Sequence, residues 1–141
     1  MARAKISDAL KKQVTNLAQG CCEYCKSQIR FSPNSFEIDH IIPISRGGLS
    51  QLDNLALACP QCNSHKSDKV SAIDPVSKQI VPLFHPRQMR WTDHFCWSDD
   101  TLEMIESTDI GRATMALLRM NRETVMNLRA VLRELGLHPP N

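Results

Sequence analysis

The sequence predicts an α+β fold, in which a small strand–loop–strand–helix core is stapled by four cysteines and followed by a helical C-terminal extension. Two cysteine pairs share a two-residue gap, one ending at Cys25 and the other formed by Cys59 and Cys62. Two short apolar runs between the pairs have the composition of strands. Apolar residues also recur at helical spacing through the last part of the chain. These three patterns together predict the fold.

Length and composition limit the class of protein. At 141 residues the chain fits one domain, spanning 1–141, that is small enough to benefit from a metal staple. The net charge is only +2, so composition alone gives weak support for a polyanionic partner. The first residues lack the apolar region of a secretion signal, and the apolar runs are too short to cross a membrane. We therefore expect a cytoplasmic protein whose cysteines bind metal rather than form disulfides.

The chain begins with a short predicted helix. Ser7 has the chemistry of its N-cap, and Gly20 marks its end. Lys5, Lys11 and Lys12 near this helix are candidate phosphate contacts, although a solvated helix face is the favoured interpretation.

The cysteine pairs predict a structural zinc site. Either Cys21 or Cys22 could pair with Cys25, and Cys22 is preferred because its two-residue gap lets both sulfurs reach one ion. Cys59 and Cys62 repeat this spacing downstream. Four thiolates suit tetrahedral Zn²⁺ with no open position, which indicates a structural rather than a reactive ion. A redox role for the pairs is disfavoured, because one ion explains both of them.

The segment between and after the pairs supplies the other core elements. Residues 36–42 are predicted to form a strand that ends before Pro43. A polar loop containing Arg46-Gly47-Gly48 follows, and residues 55–58 form the second apolar run. Residues 63–69 are predicted to start a helix. The element order is therefore strand, loop, strand, zinc knuckle, helix.

The residues in this order resemble a known family. EIDHIIP, then GG, then DNLALACPQCNSHK are similar to the HNH endonucleases, whose ββα-metal core has the same element order and often carries flanking zinc knuckles. The resemblance covers about residues 20–70. The following extension, about residues 80–138, is similar to that of a subset of small bacterial HNH proteins.

The core also contains the groups that phosphodiester hydrolysis requires. His40 can act as a general base near neutral pH. Asp39 and Asn63 offer hard oxygen ligands for a catalytic Mg²⁺ or Mn²⁺. The resemblance implies the same roles, and it further implies that Asn54 braces the loop that holds the histidine. Lys66 is predicted to contact phosphate.

Two features of this motif need a structural answer. Strict strand alternation would send Asp39 and His40 to opposite faces, so we expect the strand to twist or end at His40. The third motif position is Asn63 rather than histidine, which favours Mg²⁺ or Mn²⁺ over a softer ion. His65 lies on another face of the predicted helix and is expected at the surface.

The second half of the chain is predicted to contribute mainly to the core and the fold, rather than residues that react or bind. Residues 71–82 are expected to be a connecting segment, and the aromatic stretch 84–97 a packing layer rather than a platform for bases. Cys96 is expected in the core. Residues 108–135 are predicted to form one long helix, or two with a break. The arginines of this segment are Arg112, Arg119, Arg122, Arg129 and Arg133. We expect them to be solvated, or to contact DNA or a second copy of the chain.

The sequence therefore predicts a metal-dependent HNH endonuclease that hydrolyses phosphodiester bonds, with double-stranded DNA as the favoured substrate. The expected cofactors are structural Zn²⁺ and catalytic Mg²⁺ or Mn²⁺. No membrane partner is expected, and a homodimer stays an open alternative. The competing function is a non-catalytic zinc-stabilised module that binds nucleic acid. The joint presence of Asp39, His40, Asn54 and Asn63 favours the enzyme, since a binding module does not need that set.

Overall fold

A computed structural model describes residues 6–140, so Lys5 lies outside the described residues. The model has helices and short strands in an α+β arrangement, as predicted. The helices are α1 (Asp8–Leu17), α2 (Pro60–Lys66), α3 (Trp91–His94), α4 (Asp109–Leu118) and α5 (Glu123–Glu134). The strands are β1 (Glu37–His40), β2 (Leu55–Ala58), β3 (Ser71–Ile73), β4 (Ile80–Pro82), β5 (Phe95–Trp97) and β6 (Met104–Glu106). They form three antiparallel two-stranded sheets, β1–β2, β3–β4 and β5–β6.

The sheet of β1 and β2 supports the predicted core. The register pairs Glu37 with Ala58 and His40 with Leu55. All four residues of β2 are buried, and α1 packs Val14 against its leucines. β1 is shorter than the predicted strand 36–42. It ends at His40 because the backbone N–H and C=O of Ile42 are bonded to the side chain of Asn54 instead of a partner strand.

Helix α2 begins directly at the second cysteine pair. Cys59 is its N-cap, with Sγ accepting a bond from the backbone N–H of Cys62, and Pro60 occupies the first turn. The helix therefore starts three residues earlier than predicted. It ends at Lys66, because Ser67 adopts a positive φ of 52°. Asn63 and Lys66 lie one turn apart within it, as expected.

The C-terminal extension covers the zinc-knuckle side of the core. Phe84, Phe95, Met104, Leu118 and Met120 are buried in one cluster with the four cysteines of the two pairs. The rings of Phe84 and Phe95 meet edge to face, with centroids 5.5 Å apart. The packing interpretation of the aromatic stretch is therefore confirmed.

Two expectations for the extension are wrong. Residues 71–82 form the β3–β4 hairpin rather than a plain connection. Cys96 is exposed rather than buried in the core. Of the two alternatives for residues 108–135, the pair of helices with a break is confirmed, and the break lies at Arg119, whose φ is 51°. Among the described residues, no helix is long and apolar enough to cross a membrane.

Candidate metal centre and active site

Four buried cysteines form a compact cluster, and they come from two short turns, the first knuckle (Cys22 to Cys25) and the second knuckle (Cys59 to Cys62). The Sγ atoms of Cys22, Cys25, Cys59 and Cys62 all lie within 4.8 Å of one another. The Cys25 and Cys59 sulfurs are 3.7 Å apart. Tetrahedral zinc with Zn–S bonds of about 2.3 Å requires sulfurs about 3.8 Å apart. The cluster is therefore compatible with one zinc ion held by four thiolates.

The structure decides between the two adjacent cysteines. Cys22 contributes its sulfur to the cluster. Cys21 instead points its thiol to the carbonyl oxygen of Gln19, 3.6 Å away. The preference for Cys22 therefore matches the geometry.

Two arginines of the extension surround this cluster. Arg122 places Nη2 3.2 Å from the Cys59 sulfur and Nη1 3.8 Å from the Cys62 sulfur. Arg129 is 4% exposed and donates to the carbonyl oxygens of Cys25 and Met120. The expectation that these two side chains are solvated is wrong. Their positive charge offsets the negative charge that clustered thiolates carry, which is why they are drawn into the interior.

The four thiols have pKa values that are shifted in opposite directions. Hydrogen bonds from Cys22 and Cys59 hold the pKa of the Cys25 thiol well below its ordinary value, and a hydrogen bond from Cys22 lowers the pKa of Cys59. Burial raises the pKa of Cys22, and hydrogen bonds to the other three thiols raise the pKa of Cys62. Since thiolates are the form that binds metal, a metal ion at this cluster would have to displace protons from Cys22 and Cys62.

A separate open cleft lies between β1, the following loop and α2. Its volume is about 370 Å³, and its polar lining includes Glu37, Asp39, His40, Asn63 and Asp68. The structure therefore brings together the three residues predicted to hold a catalytic metal and to activate water. It does not bring Asn54 or Lys66 to the lining of the cleft.

Asp39 is buried beside two donors. The carboxylate is on a residue only 4% exposed, and it accepts a hydrogen bond of 2.7 Å from the hydroxyl of Tyr24. The ammonium of Lys66 lies 3.2 Å from Oδ2. Burial raises the pKa of Asp39, while the charge of Lys66 and the bond from Tyr24 oppose that rise. Both donors therefore favour the ionised form that a metal requires.

The structure does not support a direct phosphate contact by Lys66. Its side chain is 1% exposed, and its ammonium is enclosed by the Asp39 carboxylate and the carbonyl oxygens of His40 and Ile41. The reason is electrostatic, since a carboxylate buried at the end of β1 requires a nearby cation. Lys66 therefore stabilises Asp39 from the buried side of the cleft and does not line the cleft itself.

His40 lies at the end of β1 with its ring half-buried. Its Nε2 is 2.9 Å from the Ser50 hydroxyl, which fixes the orientation of the imidazole. Asp39 points toward the buried side, yet both residues line the cleft. The strand ends at His40, so the two side chains reach one site despite the alternation along β1.

Asn54 braces the loop that follows His40. Its Oδ1 accepts from the N–H of Ile42, and its Nδ2 donates to the carbonyl oxygens of Ile42 and Leu49. Gly48 packs so closely that an added Cβ would overlap the Ile42 carbonyl and crowd the Asn54 amide. The loop is thus closed on itself beneath the histidine, which is the geometry that bracing requires.

The sequence does not single out two residues near these sites and misplaces two others. Tyr24 and Ser50 carry no sequence signal, because their partners are 15 and 10 residues away along the chain. Arg122 is expected on a solvated face, although its partners lie in the second knuckle. His65 is half-buried, with Nδ1 2.9 Å from the carbonyl oxygen of Leu118, and so joins α2 to α4. The alternation of polar and apolar residues could not reveal such contacts.

The segment that forms the two cysteine knuckles, the β1–β2 sheet and α2 is similar in sequence to a known family. Residues 22–69 match the HNH endonuclease family. This HNH segment contains both cysteine pairs, the whole of β1, β2 and α2, and the residues that line the cleft. The match confirms the resemblance seen in the sequence and supports a nuclease-related function.

Part of the chain is also similar in sequence to a curated protein. The chain is 33% identical over 58 residues to the type IV methyl-directed restriction enzyme EcoKMcrA of Escherichia coli (strain K12). The match covers 38% of this chain and 21% of that enzyme. The chain thus spans about a fifth of the length of this relative.

Proposed function

We propose that this protein is a metal-dependent HNH endonuclease that hydrolyses phosphodiester bonds in double-stranded DNA. The observation that carries the proposal is the cleft, where a carboxylate, an imidazole and a carboxamide meet at the junction of β1 and α2. These three groups are the set that metal-assisted hydrolysis needs. The HNH family match supports the reaction class.

Asp39 and Asn63 are the proposed ligands of the catalytic metal. A carboxylate and an amide oxygen are hard donors, and the open cleft leaves room for water and a phosphate beside an ion held by these two residues. This donor set fits Mg²⁺ or Mn²⁺. When bound, the ion would stabilise the negative charge that develops on the phosphoryl oxygens. Lys66 and Tyr24 contact the Asp39 carboxylate from the buried side and favour its ionised form over its protonated form.

His40 is the proposed general base. An imidazole nitrogen would take a proton from the attacking water, which is worth about 10² to 10⁴ in rate for a well-placed base. Ser50 fixes the ring through its hydroxyl, and Asn54 fixes the loop beneath it. The chain therefore orients the base before the substrate arrives.

The four-cysteine cluster has a structural role in this proposal. All four sulfurs lie within 4.8 Å of one another, so a zinc ion held by all of them would have no open position for water or substrate. Zn²⁺ would thus hold the knuckles, β2 and α2 together without taking part in the reaction. The reduced thiols it requires suit the cytoplasm.

We further propose that residues 1–141 act as one unit and that one active site cuts one strand. A monomer would then nick duplex DNA, and a homodimer could cut both strands.

Arg46 lies in the loop that follows β1, near the cleft. Its Nε donates to the carbonyl oxygen of Asp68, which holds the guanidinium at the edge of the cleft, where it would bind a phosphate of the substrate.

Cleavage of supercoiled plasmid tests this function. The wild type should produce nicked or linear DNA with Mg²⁺ or Mn²⁺ and none with a chelator. His40→Ala should lose at least about 10²-fold in rate. His65→Gln is the matched control, because His65 faces α4 rather than the cleft, and it should cut within a few-fold of wild type. If zinc-loaded wild type binds DNA but cuts neither plasmid, oligonucleotide nor RNA, the protein is a binding module instead.

A further inference from the structure

A zinc knuckle contributes a side chain to the proposed catalytic carboxylate. Tyr24 lies between Cys22 and Cys25, and its hydroxyl donates to Oδ2 of Asp39 over 2.7 Å. The tyrosine is 1% exposed, so water does not compete for this bond. The two proposed metal sites are therefore joined by one covalent turn and one buried hydrogen bond.

The tyrosine is held in place independently of Asp39. Its backbone carbonyl accepts a bond from Nε1 of Trp91, and its ring meets Phe84 edge to face. The preceding residue, Glu23, exchanges backbone and side-chain bonds with Leu57 of β2. The knuckle is thus docked firmly on the sheet, and the hydroxyl has little freedom to follow a displaced carboxylate.

The hydroxyl of Tyr24 is the donor in its bond to Asp39, because a carboxylate oxygen can only accept. With Lys66 on one side and Tyr24 on the other, the carboxylate of Asp39 has two buried donors that determine its orientation relative to the cleft.

We propose that Tyr24 is a positioning residue that couples the zinc knuckle to the catalytic metal by orienting Asp39. This inference rests on the proposed function of Asp39 as a metal ligand. Loss of the hydroxyl leaves the carboxylate with Lys66 alone, so it can rotate away from the orientation that binds metal. A hydrogen bond to a charged group is strong enough that its loss should weaken divalent binding by about tenfold or more.

The test is Mn²⁺ binding to zinc-loaded protein, followed by electron paramagnetic resonance. Tyr24→Phe should keep one zinc per chain but bind Mn²⁺ about tenfold more weakly than wild type. Its cleavage rate should recover toward the wild-type value at saturating Mn²⁺, since the hydroxyl does not touch the reacting atoms. Thr114→Val is the matched control. It removes another fully buried hydroxyl, which bonds Phe84 and Ile110, and should leave Mn²⁺ affinity unchanged.

Asp39→Asn distinguishes failure of the proposed metal ligand from failure of the proposed coupling through Tyr24. If it weakens Mn²⁺ binding and Tyr24→Phe does not, the coupling is wrong while the proposed metal site stands. If Asp39→Asn binds Mn²⁺ as well as wild type, both the metal ligand and the coupling are wrong. A loss of affinity in Thr114→Val equal to that in Tyr24→Phe would assign the effect to general destabilisation and overturn the coupling.

A second measurement covers the case in which Tyr24→Phe loses zinc. Tyr24 is the one tyrosine in the sequence, so wild type labelled with 3-fluorotyrosine gives a single fluorine resonance. Saturating Mg²⁺ should shift that resonance in wild type and leave it unchanged in Asp39→Asn. An unshifted resonance in wild type at a Mg²⁺ concentration that supports cleavage would contradict the coupling.

Discussion

At the residue scale, the geometry of the proposed active site depends on the buried carboxylate of Asp39, which accepts bonds from two donors on its buried side. Asp39 reaches the cleft with Tyr24 and Lys66 packed against it, and His40 follows at the end of the strand. Removing Lys66 would leave the carboxylate without a counter-charge in a low-dielectric setting, whereas removing the Tyr24 hydroxyl would leave it with Lys66 alone. In the proposed mechanism, Lys66 therefore acts on catalysis through Asp39, and it stabilises the fold directly.

The change Lys66→Met tests this assignment. It removes the cation but keeps most of the buried volume, so the Asp39 carboxylate is left unpaired. Breaking a buried ion pair typically costs about 3 to 5 kcal/mol, and we expect a loss of that order in the free energy of unfolding. Urea denaturation monitored by circular dichroism measures it.

A control separates the buried pair from a surface contact. Arg90→Met removes one partner of an exposed ion pair with Asp93, so it should change the unfolding free energy by less than about 1 kcal/mol. If Lys66→Met is equally mild but weakens DNA binding, the direct phosphate contact is the correct interpretation.

At the element scale, α2 serves both proposed metal sites. Its cap is Cys59, its first turn contains Cys62, and the next residue is Asn63, which lines the cleft. Helix geometry fixes the direction of Asn63 relative to Cys62. A change at the cluster is therefore passed to the cleft along a single turn.

Cys62→Ser should abolish the proposed cleavage activity, although the zinc ion has no chemical role in the proposed mechanism. The loss of one thiolate removes zinc, frays the start of α2 and displaces Asn63. Zinc content by mass spectrometry and plasmid cleavage measure the two effects together. Cys96→Ser is the matched control, because Cys96 is exposed outside the cluster, and it should keep zinc and activity. A Cys62→Ser protein that stayed folded and fully active would show that the cluster is not the scaffold.

The β3–β4 hairpin is attached to α4 through a second buried carboxylate. Asp74 receives Nε and Nη2 of Arg112, each at 2.8 Å, and the N–H of Val76. The guanidinium holds the pKa of Asp74 well below its usual range. The stabilisation is thus fully present above the unfolded pKa of about 3.9 and is lost as the pH falls through the lower folded pKa.

Asp74→Asn should therefore show a pH-dependent defect. Its melting temperature should lie below that of wild type above about pH 5, and the gap should narrow steadily below about pH 4. Thermal melts from pH 3 to pH 7 measure it. A gap that is constant over this range would mean that the charge of Asp74 contributes nothing.

At the scale of the whole molecule, the sequence predicts the local parts better than their mutual contacts. The cysteine spacing identifies the four-sulfur cluster, and the order of apolar runs identifies β1, β2 and α2. Both signals are short-range, since they depend on knuckle geometry and on strand or helix periodicity.

The remaining parts depend on contacts between distant segments. Lys66 and Arg122 both had the sequence appearance of surface cations, yet each is drawn inward by a negative group. Lys66 meets Asp39 27 residues away, and Arg122 meets Cys59 63 residues away. Periodicity contains no information about which charge lies across the core, so these placements required the three-dimensional structure.

In the proposed function, one chain holds two metals with different roles, zinc in the cysteine cluster and Mg²⁺ or Mn²⁺ in the cleft. The most direct test is to prepare protein with one zinc per chain, remove loosely bound ions with a brief chelator wash, and measure single-turnover cleavage of duplex DNA. Zinc should remain in the buried cluster, and cleavage should be absent until Mg²⁺ or Mn²⁺ is added. Asn63→Ala should need a much higher concentration of either ion. Cleavage by the zinc-only protein, or an Asn63→Ala variant with unchanged metal dependence, would contradict the account.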